Sequence, residues 1–311
     1  MSSGNFLFLL LMLLGPIVAV SSSSWIICWV GLELSFLGLI PILISDNSKI
    51  SVNKESSLKY FCVQAMGSGL LLLGGILVYM LPFAPTYLSE AIFSFSLLIK
   101  LGVAPAHFWV PSVVAGLGWF QMFLMLSWQK LTPLFFLVNL CENISWISVP
   151  MLLVGGLSAV IGALIGLNKT SISAMIGASS ISHSGWVVLG CVYGSVWTYF
   201  LLYCVTFLGL ILFLNLEDSF YCSIGVLSLS GLPPFIMFLG KWQVLGSALG
   251  LGYSYWYLVL PLFGSIMSLF FYLKYFYIFY MDSELVGFTK LSILGSFSVL
   301  SFLGVVFLIA V

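Results

Sequence analysis

The chain has 311 residues, 62% of them hydrophobic and 6% charged, with a formal net charge of zero and a mean hydropathy of +1.22. A soluble domain carries roughly a quarter charged residues, so this composition excludes one and points to a polytopic membrane protein. All nine basic residues are lysine; without the guanidinium fork that grips phosphate, and without net positive charge, a nucleic-acid partner is excluded as well.

In chain order, the first stretch, MSSGNFLFLLLMLLGPIVAVSSSS, resembles a signal peptide in its small-residue end. Its basic leader is missing, however, since the first lysine is Lys49, and the stretch reads as a retained first transmembrane helix. Apolar runs of about 20 residues, the length that crosses a bilayer core, then follow nearly end to end. The predicted spans are 4–21, 24–44, 58–80, 87–116, 119–140, 145–167, 171–191, 195–214, 222–249, 254–280 and 291–310. Their continuous rather than alternating apolarity predicts helices and not barrel strands. The expected fold is therefore an all-α polytopic membrane protein of about eleven transmembrane helices. Connections are short and only 45–57 (SDNSKISVNKESS) is a polar loop of any length. No soluble domain is left to house a nucleotide or flavin.

The second span, WVGLELSFLGLIP, carries Glu33 in its interior. The fourth, LLIKLGVAPAHFWVPSVVAG, holds Lys100 two residues before Gly102 and five before Pro105, and the fifth places Lys130 mid-span in LSWQKLTPLFF. In the seventh, SSISHSGWVVLG, His183 sits among serines. The ninth, LSLSGLPPFIMFLGKWQVL, repeats the pattern of the fourth: Gly231 to Pro234, then Lys241. Proline removes a backbone donor and clashes with the preceding turn, so the fourth and ninth helices are expected to break. Paired interrupted helices at corresponding places predict an inverted repeat, with 1–144 as the first copy, 145–280 as the second, and 281–311 as a terminal helix.

A charge at a helix centre costs roughly 2.5–3.5 kcal/mol on insertion scales. Glu33, Lys100, Lys130 and Lys241 together cost on the order of 10 kcal/mol on that scale, comparable to the net stability of a domain. Snorkelling accounts for Lys59, Lys274 and Lys290 near span ends but not for Lys130 or the short Glu33. The expectation is a hydrated seam inside the bundle, with serine, threonine and glutamine (Ser35, Gln129, Thr132, Ser228) holding water there. Burial and like charges weaken a lysine's hold on its proton and a nearby carboxylate strengthens it, so such a set suits a proton relay. Purely structural pairing remains the alternative. His183 is a possible relay member or a hydrogen-bonded structural histidine, whereas His107 is expected to satisfy carbonyls freed by the Pro105 break. Neither histidine has a metal-ligand spacing. The six cysteines are scattered without a C-x-x-C and read as small hydrophobes, so no metal or iron–sulfur site is expected.

If the N-terminus faces one side, Lys49, Lys54, Lys169 and Lys290 all fall on loops of that side. The positive-inside rule then puts the N-terminus on the cytoplasm-equivalent face and the C-terminus opposite.

The segments KLGVAPAHFWVPSV (100–113), SWQKLTPL (127–134), LNKTSISAMIGASSISHSGW (167–186) and SLSGLPPFIMFLGKW (228–242), with WVGLELSFLGLIPIL (29–43), resemble in order and spacing the NADH dehydrogenase subunit 2 family of mitochondrial respiratory complex I. That family is similar to subunits of cation/proton antiporters, and its short animal form has eleven helices built on two inverted five-helix repeats. The resemblance implies that Glu33 pairs with Lys100 on the first broken helix. It likewise makes Lys130 the central relay lysine, and sets Lys241 on the second broken helix, towards a neighbouring antiporter-like subunit. It implies no cofactor in this chain, with FMN, iron–sulfur clusters and ubiquinone elsewhere in the complex. The implied partners are other membrane-arm subunits and the lipid of the mitochondrial inner membrane, with the N-terminus on the matrix side. Ser173 and Ala174 stand where the family usually has a basic pair, and Ala178 where a tyrosine is common, which discounts a matrix-side proton entry built on those groups. A stand-alone cation/proton antiporter and a scaffold with structural lysines remain the rival readings.

Overall fold

The computed structural model describes residues 3–45, 50–80, 86–233 and 235–281. Among them every regular element is a helix. In order these are α1 (Ser3–Ser21), α2 (Trp25–Ile44), α3 (Ile50–Tyr79), α4 (Thr86–Leu101), α5 (Trp109–Val114), α6 (Trp119–Leu126), α7 (Leu131–Asn143), α8 (Ser148–Leu167), α9 (Ile172–Tyr193), α10 (Val196–Asn215), α11 (Ser219–Ser230), α12 (Ile236–Gly250) and α13 (Trp256–Met281). Seven helical stretches among the described residues are long and apolar enough to cross a membrane. The predicted eleventh span, and with it Lys290, lies outside the described residues, as do Lys49 and Pro234.

The chain separates into two compact units, residues 1–149 and 150–311. In the first, α1 and α2 touch backbone to backbone: a Cβ on Gly31 would lie 2.6 Å from the Ala19 nitrogen. With lipid outside as apolar as the core, such close approach of small residues is what holds two membrane helices together. Trp25, opening α2, stacks on Tyr79 at the end of α3, with ring centroids 5.4 Å apart. At the other end of α2, Gln121 of α6 donates from Nε2 to the Ile42 carbonyl at 2.8 Å. These contacts run α2 antiparallel to α3 and bring the start of α6 to the end of α2.

In the second unit α9 is the central helix, buried along nearly its whole length. It tolerates four buried serines there because Ser179, Ser180, Ser182 and Ser184 each donate back to the carbonyl three residues earlier, so no buried serine hydroxyl of α9 goes unsatisfied. At the head of α9, Tyr275 of α13 donates to the Lys169 carbonyl at 3.0 Å. At its tail, Tyr193 meets Tyr253, which precedes α13, at 5.7 Å. Helices α9 and α13 are therefore antiparallel. Ser247, late in α12, bonds Ser195 at the head of α10, so α10 and α12 are antiparallel too.

Both predicted breaks are present. The fourth span stops at Leu101, turns through Gly102 at φ +68° and resumes as α5; the ninth stops at Ser230, turns through Gly231 at φ +75° and resumes as α12. Left-handed backbone favours glycine at both corners. Two boundaries differ from expectation. The polar loop 45–57 ends early, because α3 begins at Ile50: Asn53, Ser56 and Ser57 are buried, and Lys59 pairs with Glu55 one turn earlier at 2.6 Å. The fifth span, expected to be continuous, breaks into α6 and α7 around a 3-10 turn at Trp128–Lys130. Pro133 lacks the N–H that would bond the Gln129 carbonyl, and this loosens the turn before it.

Candidate functional site

In the first unit Glu33 on α2 and Lys100 in the last turn of α4 form an ion pair, Nζ to Oε1, at 3.7 Å. That exceeds a direct hydrogen bond, so the pair attracts electrostatically without being locked. Lys100 is 7% exposed. The α4 break frees carbonyls here, and Gln64 of α3 donates from Nε2 to the Lys100 carbonyl at 3.3 Å. Lys130, also buried, sits on the 3-10 turn that interrupts the fifth span.

Lys100 and Lys130 line one cavity of about 20 Å³, together with Ser35, Tyr60, Gln64 and Gln129. That is room for one water molecule. The 3-10 turn is tied to α2 by a double link: Gln129 Nε2 donates to the Ser35 carbonyl at 2.9 Å, and Ser35 Oγ donates to Gln129 Oε1 at 3.4 Å. Glu33, Lys100 and Lys130 are thus gathered by two helix breaks and one straight helix. Lys100 and Lys130 thus border one small space, and Glu33, which is not part of its lining, reaches Lys100 from α2.

In the second unit Lys241 lies on α12 just past the ninth-span break. Its Nζ donates to the Ser230 carbonyl at 2.8 Å, capping the last turn of α11. Gly231 does two jobs at this corner, since a Cβ there would also lie 2.7 Å from that Nζ. A half-open cavity of about 200 Å³ borders Lys241 and is walled by Trp186, Ser230, Trp242, Leu262 and Ser265. His183 is 3% exposed, its Nδ1 2.9 Å from the Tyr199 hydroxyl and its Nε2 3.1 Å from that of Tyr272. His107, in the turn between α4 and α5, is buried and its Nδ1 has no hydrogen-bond partner among the described residues.

Of the lysines assigned to snorkelling, Lys59 is exposed beside Glu55, and Lys274, exposed, reaches the Lys169 carbonyl at 3.4 Å. Ser173 and Ala174 lie in the first turn of α9 and Ala178 is fully buried in it. No group of three His, Cys, Asp or Glu side chains among the described residues is placed to hold a metal ion. Sequence reasoning missed Gln64, Tyr199 and Tyr272. A glutamine inside FCVQAMGSG was a usable signal, being polar and mid-span; the tyrosines gave none, because aromatic residues are common throughout a lipid-facing chain.

Residues 22–219 match the family described as NADH:quinone oxidoreductase/Mrp antiporter, transmembrane. The chain is 34% identical over 275 residues to NADH-ubiquinone oxidoreductase chain 2 of Albinaria caerulea, covering 88% of each. It is 36% identical over 301 residues to the protein of that name from Anopheles gambiae, covering 89% of this chain and 86% of the relative. Among solved structures it superposes on a chain of respiratory complex I from Thermus thermophilus with bound aureothin, at TM-score 0.81 and 23% identity, over 97% of this chain and 78% of that one. An Mrp complex from Dietzia gives a TM-score of 0.76 at 18% identity, over 86% of this chain and 59% of that one. These two likenesses establish the shared fold.

Proposed function

The chain belongs to the NADH-ubiquinone oxidoreductase chain 2 family, within the wider NADH:quinone oxidoreductase/Mrp antiporter membrane proteins, and on that premise we propose that it is a proton-translocating membrane-arm subunit of an NADH:ubiquinone oxidoreductase. The observation that carries this reading is the Glu33–Lys100 pair opening onto the cavity that Lys130 also lines. NADH oxidation and ubiquinone reduction, with the FMN and iron–sulfur clusters they need, belong to other subunits of the complex. This chain's part is proton movement in the mitochondrial inner membrane.

The relay comprises Glu33, Lys100 and Lys130 in the first unit and Lys241, with His183, in the second. While the carboxylate of Glu33 stays close, the Lys100 ammonium is stabilised. When the pair separates, Lys100 and Lys130 face each other across a space one water can fill, and repulsion drives a proton onward. The two helix breaks give Lys100 and Lys241 their positions, since broken helices expose backbone polar groups only where a cavity lies beside them. We assign the two copies of an inverted repeat to 1–144 and 145–280, followed by a terminal helix to make eleven, with the N-terminus in the matrix and Lys241 directed to an antiporter-like neighbour.

The test is Lys130→Met in the assembled complex, reconstituted into liposomes. Protons moved per NADH should fall while the complex assembles normally; an unchanged ratio overturns the relay and favours a scaffold. A stand-alone antiporter is distinguished by purification: this subunit should co-purify with flavin and iron–sulfur proteins, and activity of the chain alone contradicts the reading.

A further inference from the structure

The cavity that Lys100 and Lys130 line has a third kind of group on its wall, one that the lysine relay does not use. Trp109, the first residue of α5, borders the same space of about 20 Å³. Part of its ring is exposed, but Nε1 is buried and has no hydrogen-bond partner among the described residues. The helix break sets the indole there. A Cβ on Gly102 would lie 3.2 Å from Trp109 Cζ2 and 3.6 Å from Cε2, the carbon that bears Nε1. From α3 the Tyr60 ring packs against it, with centroids 5.7 Å apart. Both amides on this wall are already committed to backbone: Gln64 to the Lys100 carbonyl at 3.3 Å, and Gln129 to the Ser35 carbonyl at 2.9 Å. Buried polar groups are almost always hydrogen-bonded, which leaves the indole N–H to be accounted for.

An indole N–H only donates, so Trp109 carries no proton; it can hold an acceptor. The cavity has room for one water, and a buried water takes two to four polar partners. Resting on the proton-translocating reading, we propose that Trp109 is a positioning residue whose N–H holds the water through which Lys100 and Lys130 exchange a proton. A water has two lone pairs. Between two lysines alone it can accept from both ammonium groups at once, and that arrangement passes nothing on. With one lone pair taken by Trp109, it accepts from one lysine only. A hydrogen then turns to the other lysine, which receives it as the neutral amine. The step balances. An N–H bond of the Lys100 ammonium breaks as the water oxygen takes that proton, and an O–H bond of the water breaks as its proton joins the lone pair of Lys130. Lys100 ends neutral and Lys130 charged, with the water and the indole unchanged. Once Lys130 has discharged and Lys100 has been recharged, the water rotates about its bond to Trp109 and the step repeats.

The experiment compares Trp109→Phe, which keeps an aromatic ring and removes the N–H, with Lys130→Met in the intact complex reconstituted into liposomes. Two quantities are read: protons moved per NADH, and the indole N–H signal of Trp109 in the ultraviolet resonance Raman difference between wild type and variant. The expected result is a hydrogen-bonded N–H in the wild type, together with a proton ratio in Trp109→Phe that falls towards the Lys130→Met value. A tryptophan present only for packing leaves that N–H without an acceptor, so an unbonded signal overturns the proposal whatever the ratio. A wild-type ratio in Trp109→Phe, with Lys130→Met lowered, also overturns it and leaves the wider function intact. A wild-type ratio in Lys130→Met as well overturns both. Should Trp109→Phe fail to assemble, Trp109→Met, equally without a donor, takes its place in both measurements and the same outcomes decide.

Discussion

Glu33 shows how a single side chain is tolerated and used. Its carboxylate sits 3.7 Å from the Lys100 ammonium, and that lysine side chain is only 4% exposed. Removing one partner of a buried pair leaves the other charge uncompensated, at a cost of about 3–5 kcal/mol. Glu33→Gln should therefore lower the yield of assembled complex, as seen on native gels. Glu33→Gln combined with Lys100→Met should restore assembly without restoring proton movement per NADH. Restoration of both would reduce the pair to packing. Gln64 offers a subtler case: Gln64→Leu removes the donor to the Lys100 carbonyl and leaves that acceptor buried, a loss of about 1–3 kcal/mol. Thermal denaturation of the solubilised complex should begin at lower temperature, and an unchanged onset would mean another group satisfies the carbonyl. The sequence revealed these charges because charge in an apolar run is costly on its face. It did not reveal Gln64 or Tyr272, since a polar contact between distant spans depends on which helices pack together.

For whole elements, the informative contrast is between the breaks that were legible and the one that was not. Gly102 and Gly231 stood beside prolines and lysines in two similar segments, and both turn through left-handed backbone. Pro133 stood alone, three residues after Lys130, and its effect was to convert Trp128–Lys130 to a 3-10 turn. A lone proline within a helix's first turn is often harmless, so its consequence depended on Gln129 finding Ser35 on α2. The α1–α2 pair makes the element-scale prediction. Since a Cβ on Gly31 would sit 2.6 Å from the backbone of α1, Gly31→Ala forces the helices apart. It should destabilise the pair by about 1–3 kcal/mol, read as faster proteolysis of the N-terminal region in the purified complex. Proteolysis at the wild-type rate would show that the crossing adjusts freely.

For the whole molecule, the question is which face of the membrane each end of a unit occupies. Alternating direction in the second unit puts the Lys169–Tyr275 contact at one end and the Tyr193–Tyr253 contact at the other. The positive-inside rule predicts the sense: Lys169 and Lys274 both lie at the first end, and basic residues are retained on the cytoplasm-equivalent side, so that end is expected to face the matrix. Single cysteines at Thr170 and Ser254, flanking α9 and α13 at opposite ends, report this directly. Thr170→Cys should react with a membrane-impermeant thiol reagent in inside-out vesicles and resist it in right-side-out ones, and Ser254→Cys should do the reverse. The six native cysteines are carried through both preparations as background, so only the increment at the new thiol counts. The opposite pattern would turn the chain over, and with it the direction proposed for a relay through Glu33, Lys100 and Lys130. The proposed sense of proton movement thus rests on two lysines outside the proposed relay, Lys169 in the loop before α9 and Lys274 in α13.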